Sequence, residues 1–207
     1  MTQINPYPFK CPVCSKEFED YVLLSTNQCG SSDLDTRPPE MMRSTMNAWI
    51  HECPKCGYVA RDFDESPEIT LEFLKSDTYQ NIDFEFEKGL AEKFYKEYLI
   101  LKQSGNTEDL YYPLLNCAWA CDDAGDDKNA CEIRKLCIDE ISEDNETMSL
   151  IRLDLLRRSS QFNRAVEEYS HRTFSDEFLN EICTFQIMLA KSCDDGCYTV
   201  EDMQKMG

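Results

Sequence analysis

Twelve cysteines stand among 207 residues, and four of them form two C-x-x-C pairs, Cys11-Pro12-Val13-Cys14 and Cys53-Pro54-Lys55-Cys56. Two cysteines three apart around a tight turn bring both sulfurs to one ion, while backbone amides of the turn point at the thiolates and spread their charge. The proline after each first cysteine presets the turn, and Gly57 offers the positive φ that closes the second one. Cys11, Cys14, Cys53 and Cys56 therefore make a tetrahedral four-sulfur set, which predicts one structural zinc ion. Iron suits the same donors but ranks below zinc, because electron-transfer domains are usually compact and 38 residues separate Cys14 from Cys53. Four protein ligands close such a site and leave no position for a catalytic water.

The remaining reactive side chains point away from catalysis. The two histidines, His51 and His171, lie in no nucleophile or metal motif, and the seven glycines include no G-x-G-x-x-G and no P-loop. His51, two residues before Cys53, is expected outside the ligand set. Cys29 lacks a partner at knuckle spacing and is expected as a buried, unliganded thiol. Cys117, Cys121, Cys131, Cys137 and Cys183 fall in apolar stripes, where cysteine serves as a small hydrophobe. Cys193 to Cys197 reads as a helix-end turn capped by Gly196. The acid runs Asp122-Asp123, Asp126-Asp127 and Glu143-Asp144 with Glu146 read as solvated helix ends, without the alternating spacing of a calcium loop. No catalytic or organic-cofactor residues are predicted.

Charge narrows the partners. The chain carries 21 basic and 40 acidic side chains, a net charge of −19. Nucleic acid and anionic membrane surfaces both recruit clustered cations, so both are disfavoured. The N-terminus, Met1 to Pro6, lacks a basic start and an apolar stretch, so no secretory signal is expected, and no run approaches eighteen apolar residues. A cytoplasmic location is expected, with thiols or metal ligands in place of disulfides.

The elements that must position these groups fall into two regions. Residues 1–66 are rich in Pro, Cys and turn formers and carry a net charge of −4; residues 67–207 carry −15 and read as successive helices. The junction is placed at Ser66-Pro67-Glu68, with Ser66 as N-cap. Strands are expected at Phe18–Leu23 and Trp49–Glu52. Helices are expected from Pro67 to Lys75, Phe84 to Gln103, a segment capped by Thr107 and stopped at Gly125, Asp127 to Ile141, Asn145 to Arg158, Gln161 to Arg172, a segment capped by Ser175 or Asp176 and ending near Cys193, and Thr199 to Met206. Gly125–Glu132 aligns with Ser160–Glu167, placing Ala130 over Ala165 at a 35-residue period, close to that of tetratricopeptide repeats (TPR). Tyr169 takes the large position four residues after Ala165, whereas Arg134 takes it in the first copy. The predicted class is mainly α: a small zinc-ribbon-like module of short hairpins followed by an antiparallel TPR-like array.

Between the knuckles, Asp33 to Ser44 fits neither helix nor strand. Arg37 and Arg43 are the only basic residues between Lys16 and Lys55. The favoured reading is an ordered loop whose arginines pair with Asp33, Asp35 or Glu40. The sharper reading is a docking loop that meets a carboxylate or phosphate.

The paired knuckles resemble the zinc-ribbon class. Together with Asp33–Ser44, Cys53–Tyr58 and Ala118–Gly125, they resemble an uncharacterised bacterial family whose members join a double C-x-x-C zinc module to TPR-like helices. Ser15 departs from the glycine common after the second knuckle cysteine. The resemblance implies a cytosolic bacterial protein and implies no reaction. The function expected is a non-enzymatic zinc-binding interaction or adaptor protein that meets a protein or peptide, with a basic segment favoured by charge. The alternative is a thiol-based redox or zinc-responsive sensor built on the four-cysteine site.

Overall fold

Each C-x-x-C turn joins the two strands of an antiparallel hairpin. β1 (Gln3–Lys10) and β2 (Glu17–Ser25) flank Cys11–Cys14, with Phe9 opposite Phe18 and Lys10 opposite Glu17. β3 (His51–Glu52) and β4 (Val59–Ala60) flank Cys53–Cys56. The segment expected as a strand at 18–23 lies in β2, whereas of 49–52 only His51–Glu52 is strand, in a separate sheet, and Trp49 ends a short 3-10 turn over Met46–Ala48. The partner β1 has an unpromising sequence, since Pro6 and Pro8 remove two amide donors. Both sit in a two-stranded ribbon with a free outer edge, where a missing N–H breaks no ladder bond. The computed structural model describes residues 1–64, 68–87, 89–105 and 109–206. The junction at Ser66-Pro67 and the cap expected at Thr107 lie outside them.

Behind the knuckles Phe9, Phe18, Tyr58 and Phe63 form an aromatic cluster, with Phe9 against the His51 ring at 4.5 Å and against Phe63 at 5.4 Å. Between the knuckles the Asp33–Ser44 loop, expected as neither helix nor strand, holds one helical turn, α1 (Glu40–Arg43). From residue 71 onward the helices are α2 (Leu71–Leu74), α3 (Asp77–Gln80), α4 (Gly89–Gln103), α5 (Tyr111–Ala124), α6 (Asp127–Glu140), α7 (Glu146–Arg158), α8 (Phe162–Tyr169), α9 (Glu177–Lys191) and α10 (Val200–Met206). The architecture is mainly α with a small β module, and none of the helices described is long and apolar enough to cross a membrane.

Local signals set most helix ends. Asp126, Asn145 and Asp176 each cap the next helix by accepting an amide proton from its first turn, which satisfies a donor that has no helical partner. Gly125 ends α5 in the left-handed region at φ 72°. Several ends differ from expectation, with α8 stopping at Tyr169, short of Arg172. The short helix α2 is capped by Thr70, and α4 begins at Gly89, five residues after Phe84. Phe84 and Phe86 stack on each other, and both rings meet Tyr95. The backbone there is held from outside, with the Glu85 carbonyl accepting from Asn129 and the Glu87 amide donating to Asp126. At the far end of α9 the left-handed residue is Cys193, at φ 55°. Gly196 is therefore not the cap; its carbonyl accepts from the Arg157 guanidinium at 2.7 Å.

Successive helices from α4 to α9 pack on one another, and α7 also packs on α9. In α5 every residue from Pro113 to Cys121 is buried, and in α7 every residue from Ser149 to Arg157. These two helices are central: α5 is apolar on nearly every side there, whereas α7 buries Arg152, Asp154 and Arg157 and satisfies them with ion pairs, Arg152 to Glu168 and Arg157 to Asp154. Ala130 and Ala165 are both buried, as is Tyr169.

Candidate metal centre

The hairpins bring the four sulfurs of Cys11, Cys14, Cys53 and Cys56 within 4.8 Å of one another. Cys11 and Cys56 are 3.6 Å apart, and so are Cys14 and Cys53. Tetrahedral coordination with metal–sulfur bonds of about 2.3 Å needs sulfurs about 3.8 Å apart, so the group can hold a metal ion with little movement. Cys11 and Cys53, the first of each pair, are buried; Cys14 and Cys56 are half-buried. The turns repeat each other bond for bond. The Ser15 amide donates to the Cys11 carbonyl and the Gly57 amide to the Cys53 carbonyl, while the Cys11 and Cys53 amides donate back to Lys16 and Tyr58. Gly57 has φ 72°, and the equivalent Ser15 has φ 57°. Serine there carries the strain expected for a side chain in the left-handed region.

Backbone amides face the sulfurs as the spacing predicts. Burial raises the Cys11 thiol, partly offset by hydrogen bonds from the Cys14 and Val13 amides. Burial also raises Cys56, against a bond from the Tyr58 amide. At Cys14 the weak burial is outweighed by the Lys16 amide and the neighbouring thiols, which bring it down to about 7. Metal loading requires four thiolates and so releases protons. A divalent ion with four thiolates keeps two negative charges. A cavity of about 880 Å³ beside the knuckles is lined by Lys55, Lys75, Lys96 and Glu52 together with Cys14, Cys53 and Cys56. Lys96 also lies 2.6 Å from Glu92 and 3.9 Å from Glu52.

His51 is outside the ligand set. It is buried, stacks on Phe9, and its Nδ1 lies 3.1 Å from Asp20. The second knuckle is braced by the helical region, with the fully buried Tyr79 donating its hydroxyl proton to the Gly57 carbonyl at 2.5 Å. Just after β4, Arg61 makes two hydrogen bonds to Glu97 of α4, at 2.8 and 3.1 Å. Burial raises the Glu97 carboxyl despite that arginine.

The loop between the knuckles is a latch onto the helices. Arg43 does pair inside the loop, with Asp33 at 2.6 Å. Arg37 instead reaches Asp123 at the end of α5, at 2.5 Å. Asp35 is fully buried and accepts the indole proton of Trp119 at 2.7 Å and the Arg37 amide at 3.1 Å, with Arg158 of α7 at 3.6 Å. Burial and the nearby Asp154 raise its carboxyl, against the pull of Arg158 and the indole. Backbone bonds continue the attachment. The Leu34 amide donates to Tyr198, and the Val200 amide donates to Ser32. The docking reading of this loop is thus met by carboxylates of the same chain.

This packing also corrects the acid runs. Asp122 is half-buried between Arg134, which grips it at 2.5 and 3.0 Å, and Arg158 at 2.9 Å. Burial opposes ionisation, but the two arginines hold its carboxyl below the usual range. Arg134, the departure in the first repeat copy, is therefore a buried ion-pair partner. Glu143 takes Arg172, Arg152 and Ser149. Cys29 is exposed, contrary to expectation. Cys197 donates to Asp33 at 3.2 Å, and burial, together with that carboxylate, pushes its thiol up to about 12.

Comparison with models of protein families, with curated proteins and with solved structures returns no match.

Proposed function

We propose that this chain is a non-enzymatic zinc-binding interaction or adaptor protein of the bacterial cytoplasm. The four-sulfur cluster carries the reading, because its donors are all thiolates at tetrahedral spacing and leave no open position for substrate. Zinc is preferred over iron for the long insert between the knuckles, and metal binding doubles as folding energy. The helices are read as TPR-like, supported by the buried Ala130 and Ala165 and by Tyr169. A surface of stacked helices in a region of net charge −15 favours a basic protein or peptide segment, and the same field disfavours nucleic acid and anionic membranes.

The test is elemental analysis of the purified chain, followed by capture of cytosolic proteins at low and high salt. One zinc per chain and a basic, salt-sensitive bound set are expected. Absence of zinc overturns the metal assignment, and an acidic or salt-indifferent set overturns the basic partner. The second reading, a redox or zinc-responsive sensor, draws on the knuckles holding both ends of the latch loop and on the Cys14 thiol at about 7. Fast zinc release under mild peroxide would favour it, and inert sulfurs would favour the scaffold.

A further inference from the structure

The chain's C-terminal helix lies lightly on the array. Of its seven residues, α10 buries only Met203. Between it and α9 a cavity of about 580 Å³ remains, floored by Phe185 and bordered by Met188, Met203 and Met206. Met188 and Met206 are 47% and 56% exposed, so an apolar floor meets solvent through two thioethers. Methionine is unbranched and polarizable, and surfaces built from it adapt to varied apolar side chains. The volume lies in the range of ordinary ligand clefts, and its lining comes from two helices, α9 and α10, the arrangement that takes an amphipathic helix in helix-in-groove recognition.

The rim fixes the partner's charge. Glu177 and Glu181, one turn apart on α9, line the same cavity. Among the described residues neither has an ion-pair partner, whereas Lys205, the cation of α10, is taken by Glu201 at 2.8 Å. No basic side chain lines the groove. A second copy of this chain would bring a further −19 of charge to an uncompensated acidic rim, so self-association is opposed.

We infer that the α9–α10 groove is the docking site for a basic amphipathic helix, whose apolar face enters among Met188, Met203 and Met206 and whose flanking lysines or arginines meet Glu177 and Glu181. This rests on the interaction reading above and gives it a place and a ligand class. The probe is a synthetic helical peptide with leucines at one-turn spacing and lysines on the flanks, compared with the same peptide carrying glutamates in place of the lysines. Methyl-labelled methionines in the full chain report where it binds.

The lysine peptide should shift the resonances of Met188, Met203 and Met206, bind more weakly at high salt, and outbind the glutamate peptide. Met188→Asp, at an exposed position, should weaken binding about tenfold or more. The double variant Glu177→Lys, Glu181→Lys should reverse the preference between the two peptides. Binding that survives both variants, or shifts confined to other methionines, overturns the groove while leaving an interaction role elsewhere on the helices. No binding of the lysine peptide at millimolar concentration also overturns the groove, and the salt-dependent capture then decides the broader reading by itself. Shifts of these three methionines on raising the concentration of the chain alone would assign the groove to self-association.

Discussion

Replacing Asp35 tests whether the loop between the knuckles is held by the helices. The carboxylate accepts from the Trp119 indole at 2.7 Å and from the Arg37 amide at 3.1 Å, with Arg158 at 3.6 Å. Asp35→Ala removes the acceptor and strands a buried indole N–H, which costs about 1–3 kcal/mol. It also leaves a small void and takes one of two carboxylates from Arg158, which keeps Asp122 at 2.9 Å. A total of about 3–4 kcal/mol follows, at the lower end of the cost of breaking a buried ion pair. Asp35→Asn keeps an oxygen for the indole. Its amide NH2 then faces the Arg37 N–H in place of the second oxygen, so this variant should cost about 1–3 kcal/mol, less than alanine, because it leaves no void and keeps the indole bond. Against a typical stability of about 5–15 kcal/mol the difference is readily measured. Urea unfolding followed by Trp119 emission, in a Trp49→Phe background, provides the readout. If alanine and asparagine behave alike, or alanine lies within about 0.5 kcal/mol of its parent, the loop is not latched through this residue.

Four further outcomes are expected. Chelation, or Cys53→Ser, should abolish stoichiometric metal and shift Trp119 emission to the red as the latch loosens; retained zinc with unchanged emission would contradict the coupling. Ser15→Gly should stabilise the chain by about 0.5–1 kcal/mol by relieving its positive φ, measured by thermal unfolding of the metal-loaded protein. Ala165→Leu should overpack the junction of α7, α8 and α9 and cost about 1–3 kcal/mol in the same assay. Asp122 has a folded pKa below its ordinary value, so its stabilisation is complete above about pH 4 and lost as pH falls through the folded value; an Asp122→Asn variant should lack that part of the acid-unfolding slope.

Much of the candidate site was legible because its information is local. A C-x-x-C turn needs only its own six or seven residues to aim two sulfurs, and the two turns are near copies, from their prolines to the positive φ at Ser15 and Gly57. Helix caps at Asp126, Asn145 and Asp176 are local in the same sense, as is the stop at Gly125. The strand β1 escaped because prolines forbid a central strand but not a ribbon edge, and the pairing partner decides which applies. The start of α4 escaped because periodicity cannot reveal that the backbone of Glu85 and Glu87 is claimed by Asn129 and Asp126.

The amino-acid sequence alone therefore determined the four cysteines that cluster, the tight turn at each pair, the run of helices and the sign of the net charge. Only the tertiary structure decided what the charged residues between and beyond them do. Asp35 meets Trp119 across 84 residues and Arg37 meets Asp123 across 86. Asp122, the first residue of a run that reads as solvated, is half-buried and gripped between Arg134 and Arg158. A buried charge looks like a surface charge in one dimension, because what distinguishes them is desolvation and a distant partner, and both exist only once the chain has folded.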